Sequence, residues 1–289
     1  MLTIENKLLR VSIASKGAEL QSIFHKSFQL EYMWNGDPAF WAKRSPVLFP
    51  IVGTLKDDQY NFKNKSYRLG RHGFAREMEF ETEYYQKDGA GFLLKSDEAT
   101  LKNFSFLFEF RVGYLLRGDE LETSYNIQNT DEEDLYFSVG GHPAFKLPLV
   151  EGTSYNDYYL EFDKDETLSR WPISPGGLLE KNPIPVLQNT RVLPLSKELF
   201  SQDALVFKHP ASSSVALKSG KTLHGLDFSF HDFPYLGIWA AKNADFVCIE
   251  PWCGIADSVD SDQQLIHKEG INVLKKGEVF ERKWKIRIF

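Results

Sequence analysis

Two of the seven histidines lie in segments whose backbone is restricted by neighbouring glycine and proline residues. His142 lies in the sequence Gly-Gly-His-Pro, and His72 lies in Gly-Arg-His-Gly. Gly140 and Gly141 can adopt positive φ angles, and Pro143 keeps the residue before it out of the helical region. We therefore expect the His142 imidazole to be held on a sharp bend. Such a bend suits a tight turn, a metal ligand or a positioned proton donor.

Two of the 40 acidic residues also lie where a carboxyl group could do chemistry. Glu250 ends the apolar strand "DFVCIE" and is followed at once by Pro251 and Trp252. We expect its carboxyl group to lie in partly apolar surroundings, which raise the pKa of a carboxyl group. Asp203 precedes the apolar run of "SQDALVF", where it is either a functional carboxylate or the cap of a turn.

Three chemistries could use these side chains. His72, His142 and Glu250 could form a metal site with two histidines and one carboxylate, but the close spacings that often mark such sites are missing. Glu250 and Asp203 could form the carboxylate pair of a glycosidase, which would leave His142 without a role. A general acid–base pair of His142 and Glu250 accounts for both constrained residues. No G-x-S-x-G motif supports a nucleophilic serine.

Alternation of apolar and polar residues, typical of strands, runs through most of the chain. In "ELETSYNIQN" it places alternate residues from Leu121 to Ile127 on one face. In "NFSFLFEFRVGYLL" it places the phenylalanines from Phe104 to Phe110 on one face of a single strand. The segment "YNFKNKSYRLG" predicts a hairpin with its turn at "KNK". These patterns favour antiparallel strands.

Helical periodicity over ten or more residues is missing, and only "PAFWAK" and "PLSKELF" predict short helical turns. The segment "RWPISPGGLLEKNPIPVLQNT" is rich in proline and glycine, and strand patterns continue on both sides of it. We interpret it as a long surface loop. The sequence therefore predicts an all-β fold, a large antiparallel β-sandwich, as a single domain over residues 1–289.

Composition excludes several classes of function. The formal net charge is −6 and the basic residues form no run, which disfavours a nucleic-acid partner. Cys248 and Cys253 are too few for a disulfide scaffold, so we expect reduced thiols and a cytoplasmic protein. The start "MLTIENKLLRVSI" lacks the apolar core of a signal peptide, and no apolar run is long enough to span a membrane.

Five motifs, in order, carry a family resemblance: "SPVLFPIVG", "RHGFAR", "GGHPAF", "DALVF" and "IEPWCG". Together they resemble the aldose 1-epimerase (galactose mutarotase) superfamily, and within it the LacX-like bacterial branch. The resemblance runs from "ENKLLRVSIASKGAELQSI" to the last strand. It implies the large antiparallel sandwich of that superfamily, the supersandwich, and an isomerase that converts one sugar anomer into the other.

The resemblance also implies roles for individual residues. His142 is similar to the general acid of the family and Glu250 to its general base. His72 resembles a second active-site histidine that binds the sugar near its ring oxygen. Arg44 resembles an arginine that contacts substrate hydroxyl groups, and Asp203 a carboxylate that binds them. An ionised Glu250 would take the proton of the C1 hydroxyl while a protonated His142 protonates the ring oxygen, without a cofactor or a metal.

The paired arginines of "GRHGFAR" leave the substrate open. The first possibility is a free aldohexose. The second is a phosphorylated hexose with Arg71 or Arg76 as a phosphate contact, although both arginines could equally be structural and pair with the acidic residues of "EMEFETE". The third is a sugar-binding sandwich without catalysis. In each case the expected partner is a small sugar, bound by a monomer or a homodimer.

Overall fold

The computed structural model describes residues 1–289 and consists mainly of β-strands. One short α-helix, α1, spans Thr100–Asn103. In chain order the 25 strands are β1 Leu2–Glu5, β2 Leu9–Ile13, β3 Leu20–His25, β4 Leu30–Glu31, β5 Val47–Leu48, β6 Gln59–Phe62, β7 Lys65–Arg68, β8 Glu81–Tyr85, β9 Gly89–Lys95, β10 Phe108–Arg117, β11 Glu120–Asn129, β12 Leu135–Phe137, β13 Val139–Gly141, β14 Ala144–Lys146, β15 Tyr158–Glu166, β16 Ser169–Arg170, β17 Ile184–Pro185, β18 Thr190–Pro194, β19 Leu205–Lys208, β20 Ser214–Ser219, β21 Thr222–Ser229, β22 Tyr235–Trp239, β23 Phe246–Cys253, β24 Asn272–Leu274 and β25 Val279–Ile288. Five short 3₁₀ helices span Lys56–Asp58, Ala75–Glu77, Tyr155–Asp157, Lys197–Phe200 and Leu265–His267.

The larger layer is a nine-stranded antiparallel sheet in the order β18-β15-β20-β21-β25-β11-β10-β9-β8. Its central strands follow the predicted alternation. In β11 the alternate residues from Leu121 to Ile127 are buried, as the sequence predicts. Strands from the first and the second half of the chain meet where β11 pairs with β25. The sheet is therefore completed only when the last strand has docked.

The phenylalanine-rich segment differs from the prediction of one strand. Strand β10 begins only at Phe108, because α1 turns the chain before it and ends at Asn103. Phe104 and Phe106 lie between the two elements and are nevertheless buried, with their ring centroids 4.9 Å apart. Their side chains therefore reach the core from a segment that is not a strand.

The second layer is a six-stranded sheet in the order β19-β22-β23-β13-β5, with β14 also paired to β23. It packs on the nine-stranded sheet through aromatic side chains. The rings of Phe145 and Phe228 lie 6.0 Å apart across the two layers, and those of Phe49 and Phe110 lie 4.7 Å apart. The two sheets form the predicted antiparallel β-sandwich, and their packed faces hold the main core.

Three local predictions have different outcomes. The hairpin of β6 and β7 is confirmed, with Lys63 and Asn64 at φ angles of 49° and 62° in its turn. The segment "PLSKELF" contains a 3₁₀ helix, whereas "PAFWAK" forms only turns. The proline-rich loop is not confined to the surface, because Leu179 is buried within it and bonds to the carbonyl of Asp257 through its N–H.

Candidate active site

A break between two short strands presents His142. Strand β13 pairs with β23 at Gly140 and Trp252, and β14 pairs with the same strand further along in unbroken register. His142 and Pro143 lie in the gap, so this register places His142 opposite Glu250. The two residues of the predicted acid–base pair are therefore neighbours on adjacent strands, although they lie far apart in sequence.

The glycines before His142 serve a different purpose from the one expected. Neither Gly140 nor Gly141 has a positive φ angle, because both belong to strand β13. Each is instead needed for close approach. A Cβ atom on Gly140 would lie 2.7 Å from the Trp252 ring, and one on Gly141 would lie 2.8 Å from the Tyr125 hydroxyl. The absence of side chains lets the strand lie between the cavity on one side and the core on the other.

His142 and Glu250 form a close, buried pair. His142 Nε2 and Glu250 Oε2 are 3.1 Å apart, and the residues are 8% and 1% exposed. Trp41 and Trp239 pack around the imidazole, with ring centroids at 4.9 and 5.5 Å. Glu250 Oε2 and His142 Nδ1 are buried and make no well-aligned hydrogen bond. The pair is thus held by packing, with polar atoms left available to a ligand.

Burial determines the charge of this pair. Loss of water raises the pKa of Glu250 well above its ordinary value of 4.5, and the positive charge of Arg71 opposes this only in part. Loss of water also lowers the pKa of His142 to about 3. Burial therefore favours the neutral form of the pair, with its one proton on Glu250. The ionised Glu250 and protonated His142 that the resemblance implies are the form that this burial disfavours.

His72 faces the same cavity from a strained turn. Its φ angle is 67° and that of Gly73 is 70°, so the chain bends sharply and brings Arg71 to the cavity as well. The N–H of Gly53 donates to His72 Nδ1 at 3.0 Å. This bond fixes the tautomer that carries its proton on Nε2. Burial and the nearby His142 hold the pKa of His72 well below its ordinary range, so the ring is a neutral hydrogen-bond donor.

These side chains surround a cavity of about 350 Å³. Its lining combines a few polar groups with a broad apolar surface. The lining residues are Trp41, Gly53, Arg71, His72, Arg76, His142, Ile173, Gly177, Leu179, Asp203, Ala204, Val206, Trp239, Glu250, Trp252, Ile255 and Ala256. Leu179, Val206 and Ile255 belong to a second, smaller apolar cluster that forms one wall.

Asp203 lies at the cavity with a φ angle of 72°. Its Oδ1 accepts a hydrogen bond from the N–H of Ala204 at 2.8 Å, directly after the 3₁₀ helix that ends at Phe200. The carboxylate is half-exposed and its second oxygen has no partner within the chain. The residue therefore shapes a turn and also lies at the cavity, so the structure leaves both interpretations from the sequence open.

Both arginines of "GRHGFAR" line the cavity. Arg76 donates to the carbonyl of Arg71 at 2.9 Å, and its Nε is buried without a partner. The expected structural alternative, pairing with nearby acids, is not what the structure contains. Glu77 pairs instead with Lys16 and Lys43.

Arg44 is the exception among the predicted site residues, because it does not line the cavity. Its guanidinium donates to the carbonyls of Gln21 at 2.7 Å and Asn35 at 2.6 Å. Its backbone N–H donates to the carboxylate of Glu19. The expectation of a substrate contact is therefore corrected to a role in joining strand β3 to the loop at Asn35, since the guanidinium is already bonded to the backbone of both.

Several residues that line the cavity were not predicted from the sequence. Trp41 and Trp239 enclose His142, and Ile173 comes from the proline-rich segment "RWPISPGGLLEKNPIPVLQNT". Aromatic residues make up 14% of the chain, a signal for sugar stacking that does not say which rings are used. The motifs do contain three other lining residues: Gly53 in "SPVLFPIVG", Ala204 in "DALVF" and Trp252 in "IEPWCG".

The fold is that of the galactose mutarotase-like sandwich proteins. The chain belongs to the aldose 1-epimerase family, whose model matches residues 1–286. It is therefore an isomerase of the sugar mutarotase type. No helix in the structure has both the length and the apolar character needed to cross a bilayer.

Individual relatives agree with this assignment. Protein LacX (chromosomal) of Lactococcus lactis subsp. lactis is 35% identical over 296 residues, covering 99% of each chain. A galactose mutarotase related enzyme from Lactobacillus acidophilus has a TM-score of 0.95 at 39% identity, covering 100% of this chain and 97% of that one. A putative aldose 1-epimerase from Escherichia coli K12 has a TM-score of 0.78 at 15% identity, covering 99% and 98%, and shares the fold.

Proposed function

We propose that the protein interconverts the α and β anomers of an aldohexose through acid–base opening and closing of the ring, with His142 and Glu250 as the acid–base pair. The observation that carries this proposal is the 3.1 Å approach of His142 Nε2 to Glu250 Oε2 at a cavity lined by indole rings. Anomer exchange needs one proton removed from the C1 hydroxyl and one delivered to the ring oxygen. A pair that holds one proton can do both.

The proton of the pair changes place during the reaction. In the resting form it lies on Glu250, and a shift over the 3.1 Å to His142 gives a carboxylate beside an imidazolium. The carboxylate then takes the C1 hydroxyl proton while the imidazolium protonates the ring oxygen. The pair returns to its neutral form as the ring opens. Closing on the other face of the aldehyde repeats these transfers in reverse.

The remaining lining supports binding of one pyranose. At about 350 Å³ the cavity lies near the lower end of the range for small-molecule sites, roughly 300–1,000 Å³. Trp41 and Trp239 offer faces against which the apolar side of a sugar ring can stack. His72 offers an Nε2–H donor and Asp203 an oxygen acceptor for hydroxyl groups.

NMR measurement of anomer exchange tests the proposal directly. The purified protein should accelerate exchange of at least one free aldohexose from a panel that includes glucose and galactose. The matched variant His142→Asn should lower that rate by at least about 10²-fold while its circular dichroism is unchanged. If the wild type accelerated exchange of no hexose, free or phosphorylated, the sugar-binding sandwich without catalysis would replace this proposal.

One observation supports a phosphorylated substrate as the second candidate. The guanidinium of Arg71 makes no hydrogen bond or ion pair within the chain, and it lines both the cavity and an adjoining recess of about 380 Å³. Ser174 and Gln202 also line that recess. Arginine can bind a phosphate monoester through two parallel hydrogen bonds. An at least tenfold rise in KM for a hexose 6-phosphate in Arg71→Ala, about 1.4 kcal/mol, with the free sugar unaffected, would favour this candidate.

A further inference from the structure

A buried thiol lies beside the His142–Glu250 pair and has no part in the proposed reaction. Cys248 precedes Glu250 by two residues on β23, so the two side chains lie on the same face of the sheet. Cys248 is completely buried and forms no disulfide. One ring nitrogen of His142, the Sγ of Cys248 and a carboxylate oxygen of Glu250 all lie within 4.8 Å of one another.

Two buried polar atoms of these residues lack a well-aligned hydrogen bond. Glu250 Oε2 has only the 3.1 Å approach of His142 Nε2, and His142 Nδ1 has no partner. Buried polar atoms in folded proteins are nearly always bonded. Two such atoms beside the free thiol of Cys248 therefore indicate a cluster that can accept a ligand.

A thiol, an imidazole and a carboxylate together select for a particular class of cation. Thiolate and imidazole suit Zn²⁺ and Co²⁺, whereas Mg²⁺ and Ca²⁺ prefer oxygen ligands alone. In a tetrahedral zinc site, bonds of about 2.0–2.3 Å place neighbouring ligand atoms roughly 3.3–3.7 Å apart. Side-chain movements of about 1 Å would bring this cluster to that geometry. Because His142 and Glu250 line the cavity, the fourth position would face it.

We propose that His142, Cys248 and Glu250 form a binding site for a zinc-like divalent cation, and that the bound cation inhibits the enzyme. Binding replaces the thiol proton of Cys248 and occupies the lone pairs that the acid–base pair uses. The His142–Glu250 pair also gives up its proton, so two protons are released on binding and affinity rises with pH. The metal is an inhibitor here and takes no part in turnover. The inhibition, but not the binding, rests on the proposed function.

Cobalt spectroscopy tests the binding without any assay of activity. Co²⁺ titrated into the wild-type protein should bind one equivalent and produce a thiolate-to-cobalt charge-transfer band in the near ultraviolet. Cys248→Ala should abolish the band. Cys253→Ala should keep it, since Cys253 is equally buried but its Sγ lies near the carbonyl of Asp232 at 3.7 Å. If Cys248→Ala fails to fold, Cys248→Ser takes its place, because a hydroxyl gives no such band.

Absence of the band in wild type, or its survival in the Cys248 variant, would overturn the site. Inhibition is measured separately as the Zn²⁺ concentration that halves the rate of anomer exchange. Cys248→Ala should raise that concentration at least tenfold, Cys253→Ala should change it less than twofold, and Mg²⁺ should not inhibit. Zn²⁺ inhibition that is equal in all three proteins would refute the inhibitory role. A cobalt band in a protein without exchange activity would leave the site standing and remove the proposed function.

Discussion

Replacing Glu250 with glutamine should remove activity and at the same time stabilise the fold. The carboxyl group is 1% exposed and burial raises its pKa well above 4.5. Glutamine has the same shape but cannot ionise, so it needs no proton when the protein folds. We expect Glu250→Gln to lower the rate of anomer exchange by at least about 10²-fold.

The size of the stabilisation follows from linkage. Between pH 4.5 and the raised pKa of Glu250, the folded state binds one proton more than the unfolded state. The contribution of Glu250 to the free energy of unfolding therefore falls as the pH rises, by about 1.4 kcal/mol per pH unit. The lowered pKa values of His142 and His72 act in the opposite sense below 6.5, so the comparison is made between wild type and variant. From pH 4.5 to 7 the Glu250 contribution changes by at most about 3 kcal/mol, the limit for a carboxyl group that stays protonated in the folded state throughout. Glu250→Gln should recover that amount at pH 7 and almost none at pH 4.5.

Urea unfolding at several pH values between 4.5 and 8 measures this difference. Glu166→Gln is the matched control, because Glu166 is 2% exposed but its carboxylate accepts hydrogen bonds from the N–H groups of Ala211 and Ser212. That variant should lose about 1–3 kcal/mol of unfolding free energy. A Glu250→Gln protein that is less stable than wild type at pH 7, or whose difference does not grow with pH, would refute the reasoning.

Three other perturbations have defined outcomes. The pH profile of kcat/KM should be bell-shaped, with its acid limb below 6.5 because burial lowers the pKa of His142 to about 3. Its alkaline limb should lie above 4.5 because burial raises the pKa of Glu250. Both limbs belong to the coupled pair, and an acid limb at 6.5 would contradict the neutral resting form. Arg44→Ala should lower the unfolding temperature and leave KM within about twofold, because the Arg44 guanidinium binds backbone carbonyls outside the cavity. A tenfold rise in KM would instead support Arg44 as a substrate contact. Lys268→Met should lower the free energy of unfolding in urea by about 3–5 kcal/mol, because it leaves the buried Asp257 carboxylate without the Lys268 ammonium that lies 2.7 Å away. A loss below about 1 kcal/mol would show that the Lys268–Asp257 ion pair is dispensable.

The sequence was most informative where local pattern decides structure. Strand β11 and the hairpin at Lys63 and Asn64 follow from alternation and turn chemistry, which are properties of neighbouring residues. The pattern failed at Phe104, because a helical turn of four residues has no periodicity long enough to detect. The fold class depends on many such segments, so one error did not change it.

The site was harder to predict from the sequence because it is assembled from segments that lie far apart in the chain. The motifs indicated His142 and Glu250, but the register that sets them opposite each other joins strands more than 100 residues apart. The motif match also indicated Arg44, whose position next to a conspicuous segment says nothing about where its guanidinium points. Trp239 carried no motif at all. Contacts across strands depend on tertiary pairing, which neither spacing nor composition reveals.

Some residues of the cavity also depart from local preference. His72 and Asp203 adopt positive φ angles, and Glu250 is buried without a partner for Oε2. Each of these is unfavourable by itself, and each persists only because the surrounding structure fixes it. The sheet that carries β23 supplies this support, since its pairing on both sides leaves Glu250 no route to solvent except through the cavity. Under the proposed function, a substrate hydroxyl entering that cavity would give Oε2 a well-aligned hydrogen bond that the protein itself does not supply. The burial that destabilises the carboxylate would then favour its binding of the sugar.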